Sequence, residues 1–328
     1  MVALMVMIGG ITRLTESGLS MTGWKPVTGW LPPIGEIAWQ GEFDQYKTSP
    51  QYKLVNAGMD VHEFKEIFWL EYIHRLLGRI TGIIFFLPLI YFASKRAIGR
   101  RLGVGLGGVL CLGGFQAVVG WMMVSSGLKD APHVSQYWLA FHLGMAFVIF
   151  TTLFLMALNL RHRHESIEVF EVPTYFRRLS FSILILIFMQ VMWGAFVAGL
   201  DAGLAYNTFP DMNGKLIPNG LFVMQPWYIN FFDNVTAVQF THRALAFLLV
   251  FVIVIFWFLS RRIAFDKHCK TAINCLLFVI FVQFGLGVAT VINAVPTSLA
   301  SAHQMGALVL FSFALYINYR LFKNVNAA

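Results

Sequence analysis

Charge is scarce in this chain of 328 residues: Asp, Glu, Lys and Arg make up 12% of it, while 58% is hydrophobic and the mean hydropathy is +0.68. Soluble domains carry about twice that charged fraction, which excludes an ordinary soluble enzyme and points to a polytopic membrane protein. Acidic residues are the scarcer sign, 16 against 24 Lys and Arg. The surplus raises a nucleic-acid reading, which the placement of the charges removes. Cysteine is rarer still. Cys111, Cys269 and Cys275 lie in or beside helices on the inner half, so no outer disulfide is expected and packing is their expected role. The apolar opening MVALMVMIGG lacks a basic segment and a cleavage site, which argues against a secretory signal peptide. No Arg-rich transit segment is visible.

Long apolar runs, by contrast, abound. Segments of about 20 such residues, enough to cross roughly 30 Å of hydrocarbon, occur near 67–93, 102–125, 136–159, 179–200, 235–260, 271–293 and 297–320. They predict seven complete spans. An eighth run, at the chain start, has about half the needed length, so the first helix is expected to be truncated, with native residues upstream of Met1. The connections at 94–101, 161–178 and 261–270, with the tail after Tyr319, hold 14 of the 24 Lys and Arg but 4 of the 16 acids. The positive-inside rule puts these on the cytoplasmic or matrix side and turns the long loops 14–66 and 201–234 outward. The basic surplus thus marks membrane orientation, with no nucleic acid as partner.

The chain also repeats itself. HRLLGRITGIIFFLPLIYFASKR resembles HRALAFLLVFVIVIFWFLSRR, with His74 and His242 separated by 242 − 74 = 168. FQAVVGW resembles VQFGLGV (Gln116 and Gln283, 283 − 116 = 167), and AFHLGMA resembles SAHQMGA (His142 and His303, 303 − 142 = 161). Ahead of these, Gly18 and Gly203 stand 203 − 18 = 185 apart in GGITRLTESGLSMTGW and GAFVAGLDAGLAYNTF. The larger offset means about 17 extra residues in the first outer loop. The predicted fold is therefore all-α and polytopic: eight transmembrane helices as two tandem four-helix bundles, related by a pseudo-twofold axis along the membrane normal. The halves are expected at 1–160 and 179–328, joined by a basic inner linker at 161–178.

On this topology His74, His142, His242 and His303 each lie six or seven residues into an inward-running helix, about 9–11 Å below the outer surface. An intramembrane histidine is costly to leave unpaired, and four at one depth, paired by the duplication, are hard to explain as packing. Two imidazoles on facing helices can hold an iron porphyrin between them. Zinc, the rival metal, wants three or four ligands, often thiolates, and none is in view. Four of the basic residues, Arg13, Arg75, Arg79 and Arg243, lie in helices on the outer half, where a planar guanidinium suits a porphyrin propionate; snorkelling to the interface is the alternative. Gly78, Gly82, Gly113, Gly114, Gly120, Gly285 and Gly287 permit close approach of a helix or ring.

Glu71 breaks the symmetry. It precedes His74 by three residues, where Gln239 precedes His242. An acid in one half alone suggests that this half keeps a general acid or base while the other holds a static or electron-carrying cofactor; pairing of Glu71 with Arg75 or Arg79 is the structural alternative. His62 and His133 lie in outer connections within reach of a propionate; His162, His164 and His268 belong to basic inner loops. Trp24, Trp30, Pro32, Pro33, Phe209 and Pro210 would form a lid over a ring edge, or mark the membrane interface where Trp is enriched anyway.

The stretches GGITRLTESGLSMTGWKPVTGWLPP, EYIHRLLGR, AFHLGM, NTFPDMNGKLIP, THRALAF and AHQMGAL together resemble the heme A synthase family over essentially the whole chain. Without an outer cysteine pair the chain is similar to the mitochondrial and proteobacterial members. The resemblance implies oxidation of the porphyrin C8 methyl of heme O to a formyl, giving heme A for cytochrome c oxidase, by two hydroxylations and loss of water. It implies a heme b at His242 and His303, the substrate site at His74 and His142, and Glu71 as the acid needed for chemistry. Heme O as substrate, heme A as product, an electron-transfer partner and a heme O synthase or oxidase-assembly partner follow. So does a bacterial inner membrane or mitochondrial inner membrane location, with the sites near the outer face. Two other readings stay open: a non-catalytic di-heme cytochrome, which has no use for a one-sided acid, and a parallel-repeat transporter, which predicts broken helices at midplane.

Overall fold

A computed structural model describes residues 1–24, 28–129, 132–162 and 171–323. Apart from one bridge between Met212 and Lys215, regular structure among these residues is helical. In chain order the helices are α1 (Val2–Leu14), α2 (Glu36–Tyr46), α3 (Pro50–Leu54), α4 (Val61–Ser94), α5 (Arg100–Ser126), α6 (Gln136–Arg161), α7 (Thr174–Gly199), α8 (Asn230–Asp233), α9 (Val235–Ser260), α10 (Lys267–Ile292) and α11 (Thr297–Lys323). Seven of them, α4 to α7 and α9 to α11, are long and apolar enough to cross a membrane. They fall on the seven predicted spans. The 13-residue α1 stays short of that length.

Helix starts are set by side chains that satisfy the otherwise orphaned first N–H groups. At α4, Asp60 accepts from the amides of His62 (2.7 Å) and Glu63 (2.9 Å), and Glu63 accepts from the Asp60 amide (3.0 Å). This capping box starts α4 six residues before its apolar run and carries it about 9 Å further outward. Asn234 caps α9 through the amides of Thr236 and Ala237. Asp266 caps α10 with one oxygen and pairs with Arg320 at 2.8 Å with the other. That buried pair ties the start of α10 to the end of α11.

The chain forms two compact units, Met1–Thr152 and Leu153–Ala328, the change falling within α6. In the first, α4 packs against α1, α2 and α5. The extra residues of the first loop build α2, whose Trp39, Phe43 and Tyr46 pack on the outer extension of α4 at Phe64, Phe68 and Tyr72. Ring centroids lie 5.0 Å apart for Trp39 and Phe68 and 5.1 Å for Tyr46 and Phe64. Each such buried ring contributes roughly 1.5–3 kcal/mol. In the second unit α7 and α10 each pack against both α9 and α11, around fully buried Ile183, Ile187, Leu249, Ile253, Leu276 and Ile317. The three cysteines are free thiols.

Candidate functional site: paired histidines beneath strapped outer loops

His74 lies on α4, His142 on α6, His242 on α9 and His303 on α11. Each imidazole is seated against a glycine of a neighbouring helix. A Cβ added at Gly9 would stand 2.9 Å from Cε1 of His74; at Gly120, 2.9 Å from that of His142; at Gly194, 3.3 Å from that of His242; at Gly287, 2.9 Å from that of His303. Only a residue without a side chain lets the ring lie so close to the facing backbone. Four residues before three of these glycines stands a glutamine. Gln116 donates to the carbonyl of His142 (3.0 Å), Gln190 to that of His242 (3.0 Å) and Gln283 to that of His303 (2.8 Å). The fourth glycine, Gly9, has Met5 in that place.

The pattern Q-x-x-x-G was readable as QAVVG, QVMWG and QFGLG, with MVMIG the odd member. Gln116, Gln283, Gly120 and Gly287 stand out in the sequence as repeat markers or small residues. Gly9 and Gly194 open the matched stretches GGITRL and GAFVAG, but Gln190 escapes notice because it precedes them and has Met5 in the corresponding place.

Above the histidines, each unit fastens its own outer loop with an arginine. Arg75 donates to the carbonyls of Met21 (2.9 Å) and Gly23 (3.0 Å). Arg243 donates to those of Tyr206 (2.7 Å), Thr208 (2.8 Å) and Asp211 (2.9 Å). Met21 and Tyr206, like Gly23 and Thr208, are 185 apart, the loop offset of the repeat, so the duplication reaches individual hydrogen bonds.

Glu71 is buried in this strap. One carboxylate oxygen accepts from the Ser20 hydroxyl and the Met21 amide, both at 2.7 Å, and the other from Arg75 at 2.5 Å. The pairing with Arg75 weighed from sequence is therefore present. In the second unit Gln239 instead donates to the Tyr206 carbonyl (3.1 Å), and Ala205 replaces Ser20. The hydroxyl accompanies the acid, a partnership that the sequence does not announce because 51 residues separate the two.

Arg79 sits over the Trp30 ring, 5.8 Å from its centroid, and Arg13 closes α1. Tyr72 donates to the Trp30 carbonyl at 2.6 Å, while Trp24 packs against Trp121. Phe209 stacks on Phe247 at 5.9 Å and meets Phe284 edge-on. Residues 25–27 of the first loop motif, and His164, lie outside the described residues. His62 belongs to the exposed cap of α4, His133 and His268 are exposed, and His162 lies beside Tyr319.

The ring centroids of His242 and His303 are 6.4 Å apart, their planes at 79°. Two imidazoles on opposite sides of one metal, each about 2.0–2.1 Å from it, put their centroids about 6.3 Å apart. The Nδ1 atoms of His74, His142 and His242 are buried without a partner, whereas that of His303 faces the Gln283 carbonyl at 3.2 Å. That contact makes Nδ1 the protonated nitrogen and leaves Nε2 as the donor. Among the described residues no group of three or more His, Cys, Asp or Glu is placed to hold a metal. Two nitrogen donors in an apolar setting suit a group that brings its remaining ligands with it, as a porphyrin does, and do not suit zinc.

Fold and site thus define a class: polytopic α-helical membrane proteins with paired intramembrane histidines. The COX15-CtaA family, described as cytochrome oxidase assembly protein, matches residues 1–315. Similar proteins include the heme A synthase of Nitrosospira multiformis, 48% identical over 317 residues that cover 97% of this chain and 89% of that protein. That of Parvibaculum lavamentivorans is 47% identical over 98% and 92%, and heme A synthase COX15 of Arabidopsis thaliana 44% over 97% and 71%. The chain belongs to the COX15-CtaA family.

Proposed function

We propose that this chain is a heme A synthase, an oxidoreductase that converts the C8 methyl of heme O to the formyl of heme A for cytochrome c oxidase. The observation that carries the reading is the asymmetry between two otherwise matching sites: both units seat histidine pairs, and one alone adds a buried carboxylate, Glu71. The relatives that share nearly the full chain length are heme A synthases.

The duplication yields two four-helix halves, with α1 as the short eighth member, residues 161–178 as the linker, and distinct roles for each half. His242 and His303 hold a heme b, for which their 6.4 Å separation is suitable. His74 and His142 bracket the substrate porphyrin. Iron porphyrins supply the redox chemistry. The protein's part is to fix the ring, exclude water and handle protons. Glu71 lies one turn from His74 on α4, held by Ser20, Met21 and Arg75, and is placed to accept or return a proton at the porphyrin edge. Arg13, Arg75, Arg79 and Arg243 face the propionates; the buried Nε of Arg243 has no partner and is available to a carboxylate. The two loops strapped by Arg75 and Arg243 cover the sites, which lie near the outer face of a bacterial or mitochondrial inner membrane. A partner protein or carrier exchanges electrons with the enzyme, and heme O arrives from the enzyme that farnesylates heme.

Purified protein incubated with heme O, oxygen and a reductant should yield heme A by chromatography. Bound heme that carries electrons but never forms heme A would favour a di-heme cytochrome instead.

A further inference from the structure

Four histidines are seated on four glycines, but only three are also bound by a glutamine. Gln116, Gln190 and Gln283 each bridge to the backbone carbonyl of the histidine they face, one helical turn from the seating glycine. A carbonyl accepts only from the amide's nitrogen, so each amide's orientation is fixed and the backbone that carries the histidine is held against its neighbouring helix. The same amide nitrogens lie 3.4 and 3.3 Å from Nε2 of His142 and His242, which sets each ring beside its glutamine. At His303 the ring Nδ1 also faces the backbone carbonyl of Gln283. Contacts made away from the ligating nitrogen orient a ligand.

At His74 the equivalent residue is Met5, by the 185-residue offset that relates Gly9 to Gly194. Met5 packs beside Gly78: a Cβ there would stand 3.6 Å from its Cε, an ordinary contact. A thioether is at most a weak acceptor and donates nothing. His74 therefore has the steric seat without the polar lock, on the same helix as Glu71.

We propose that Gln116, Gln190 and Gln283 are positioning residues that lock their histidines as ligands, and that Met5 leaves His74 as the one ligand able to swing off its metal. This rests on the heme reading above and adds to it an exchange order: an external ligand entering the N-terminal site displaces His74, while His142, His242 and His303 stay bound.

The test uses detergent-purified full-length protein containing its resident heme, loaded with heme O, reduced and exposed to carbon monoxide. Optical spectra and flow kinetics read ligand exchange without turnover. In the wild type, carbon monoxide should bind the added heme and spare the resident one. Met5→Gln, which installs the missing lock, should slow binding at the added heme by about ten-fold, the equivalent of one retained hydrogen bond. Gln190→Met, which imitates Met5 at the other site, should make the resident heme reactive to carbon monoxide or lower its occupancy. Unchanged carbon monoxide kinetics in Met5→Gln, or a Gln190→Met protein whose resident heme stays fully occupied and unreactive, overturns the inference. Wild-type protein that holds no heme at all sinks the functional reading itself, a separate result.

Discussion

Glu71 and Gln239 occupy one position in two copies, four residues before an arginine that straps the loop above. Exchanging an oxygen for an amino group reverses the contact: Glu71 receives the Met21 amide and the Ser20 hydroxyl, whereas Gln239 gives to the Tyr206 carbonyl. Removing the acid should leave the resident heme untouched and stop the chemistry. Glu71→Ala is expected to retain the heme b spectrum while forming no heme A, and normal heme A output from that variant would refute the role given to the carboxylate. Ser20→Ala should act in the same direction more weakly, since it deletes one of three hydrogen bonds to the carboxylate and a bond to a charged group contributes about 1.5–3 kcal/mol. The seating glycines allow a graded test. Alanine at Gly287 meets Cε1 of His303 at 2.9 Å, whereas alanine at Gly194 meets that of His242 at 3.3 Å. Overpacking of this kind costs about 1–3 kcal/mol. Heme-to-protein ratios should therefore fall further in Gly287→Ala than in Gly194→Ala, and the reverse order would show that the rings are not seated as described.

The membrane helices were legible because their signal is long and redundant: twenty apolar residues make a span whichever face they present. Shorter elements were not. The aromatic cap of α2 on α4 depends on pairings across about 25 residues of polar loop, and the capping box at Asp60 extends α4 outward through VHEFKE, too polar to read as part of a span. Outer straps likewise consist of arginine bonds to backbone carbonyls, which leave no mark on residue identity. In the second strap, Asp211 accepts from the Gly214 amide and the Thr208 hydroxyl, both at 2.8 Å. These bonds, the amide first, hold its carboxyl below the ordinary aspartate value. A depressed folded value means that the turn's stabilisation is complete above the unfolded value, about 3.9, and is lost as pH falls through the lower, folded one. The protection factors of the amides over residues 208–214, exchange rates taken relative to the intrinsic rate at each pH, should therefore stay flat between neutrality and pH of about 5 and fall only below the ordinary aspartate range. In Arg243→Ala the same amides should exchange faster at every pH, because three carbonyl anchors go together. Equal exchange in that variant and the wild type would show that the loop is held by other means.

At the scale of the molecule, the repeat was the most informative feature of the sequence, and it also explains what was missed. Histidine offsets of 168 and 161 relate three helices of each half, while α1 and α7 are related by the 185-residue offset of the loop that follows them, with Met5 standing where α7 has Gln190. The basic connections that fixed orientation hold a further device, the buried Asp266–Arg320 pair, which sequence shows only as two charges 54 residues apart. Each compact unit contains its own straps and glycine seats, and α4 to α6 carry one histidine pair while α9 to α11 carry the other. Damage to one site should accordingly remain local. His242→Ala and His303→Ala should each abolish the stably bound heme b, seen as loss of its low-spin optical and EPR signals, while the protein still takes up heme O at His74 and His142. His74→Ala should do the opposite, sparing the resident heme. Removing a buried group without refilling its space costs several kcal/mol locally, so thermal melting in the absence of heme serves as the control for collapse of the fold. Loss of both hemes from a single substitution in a protein that still melts cooperatively would mean that the two sites form one cooperative structure.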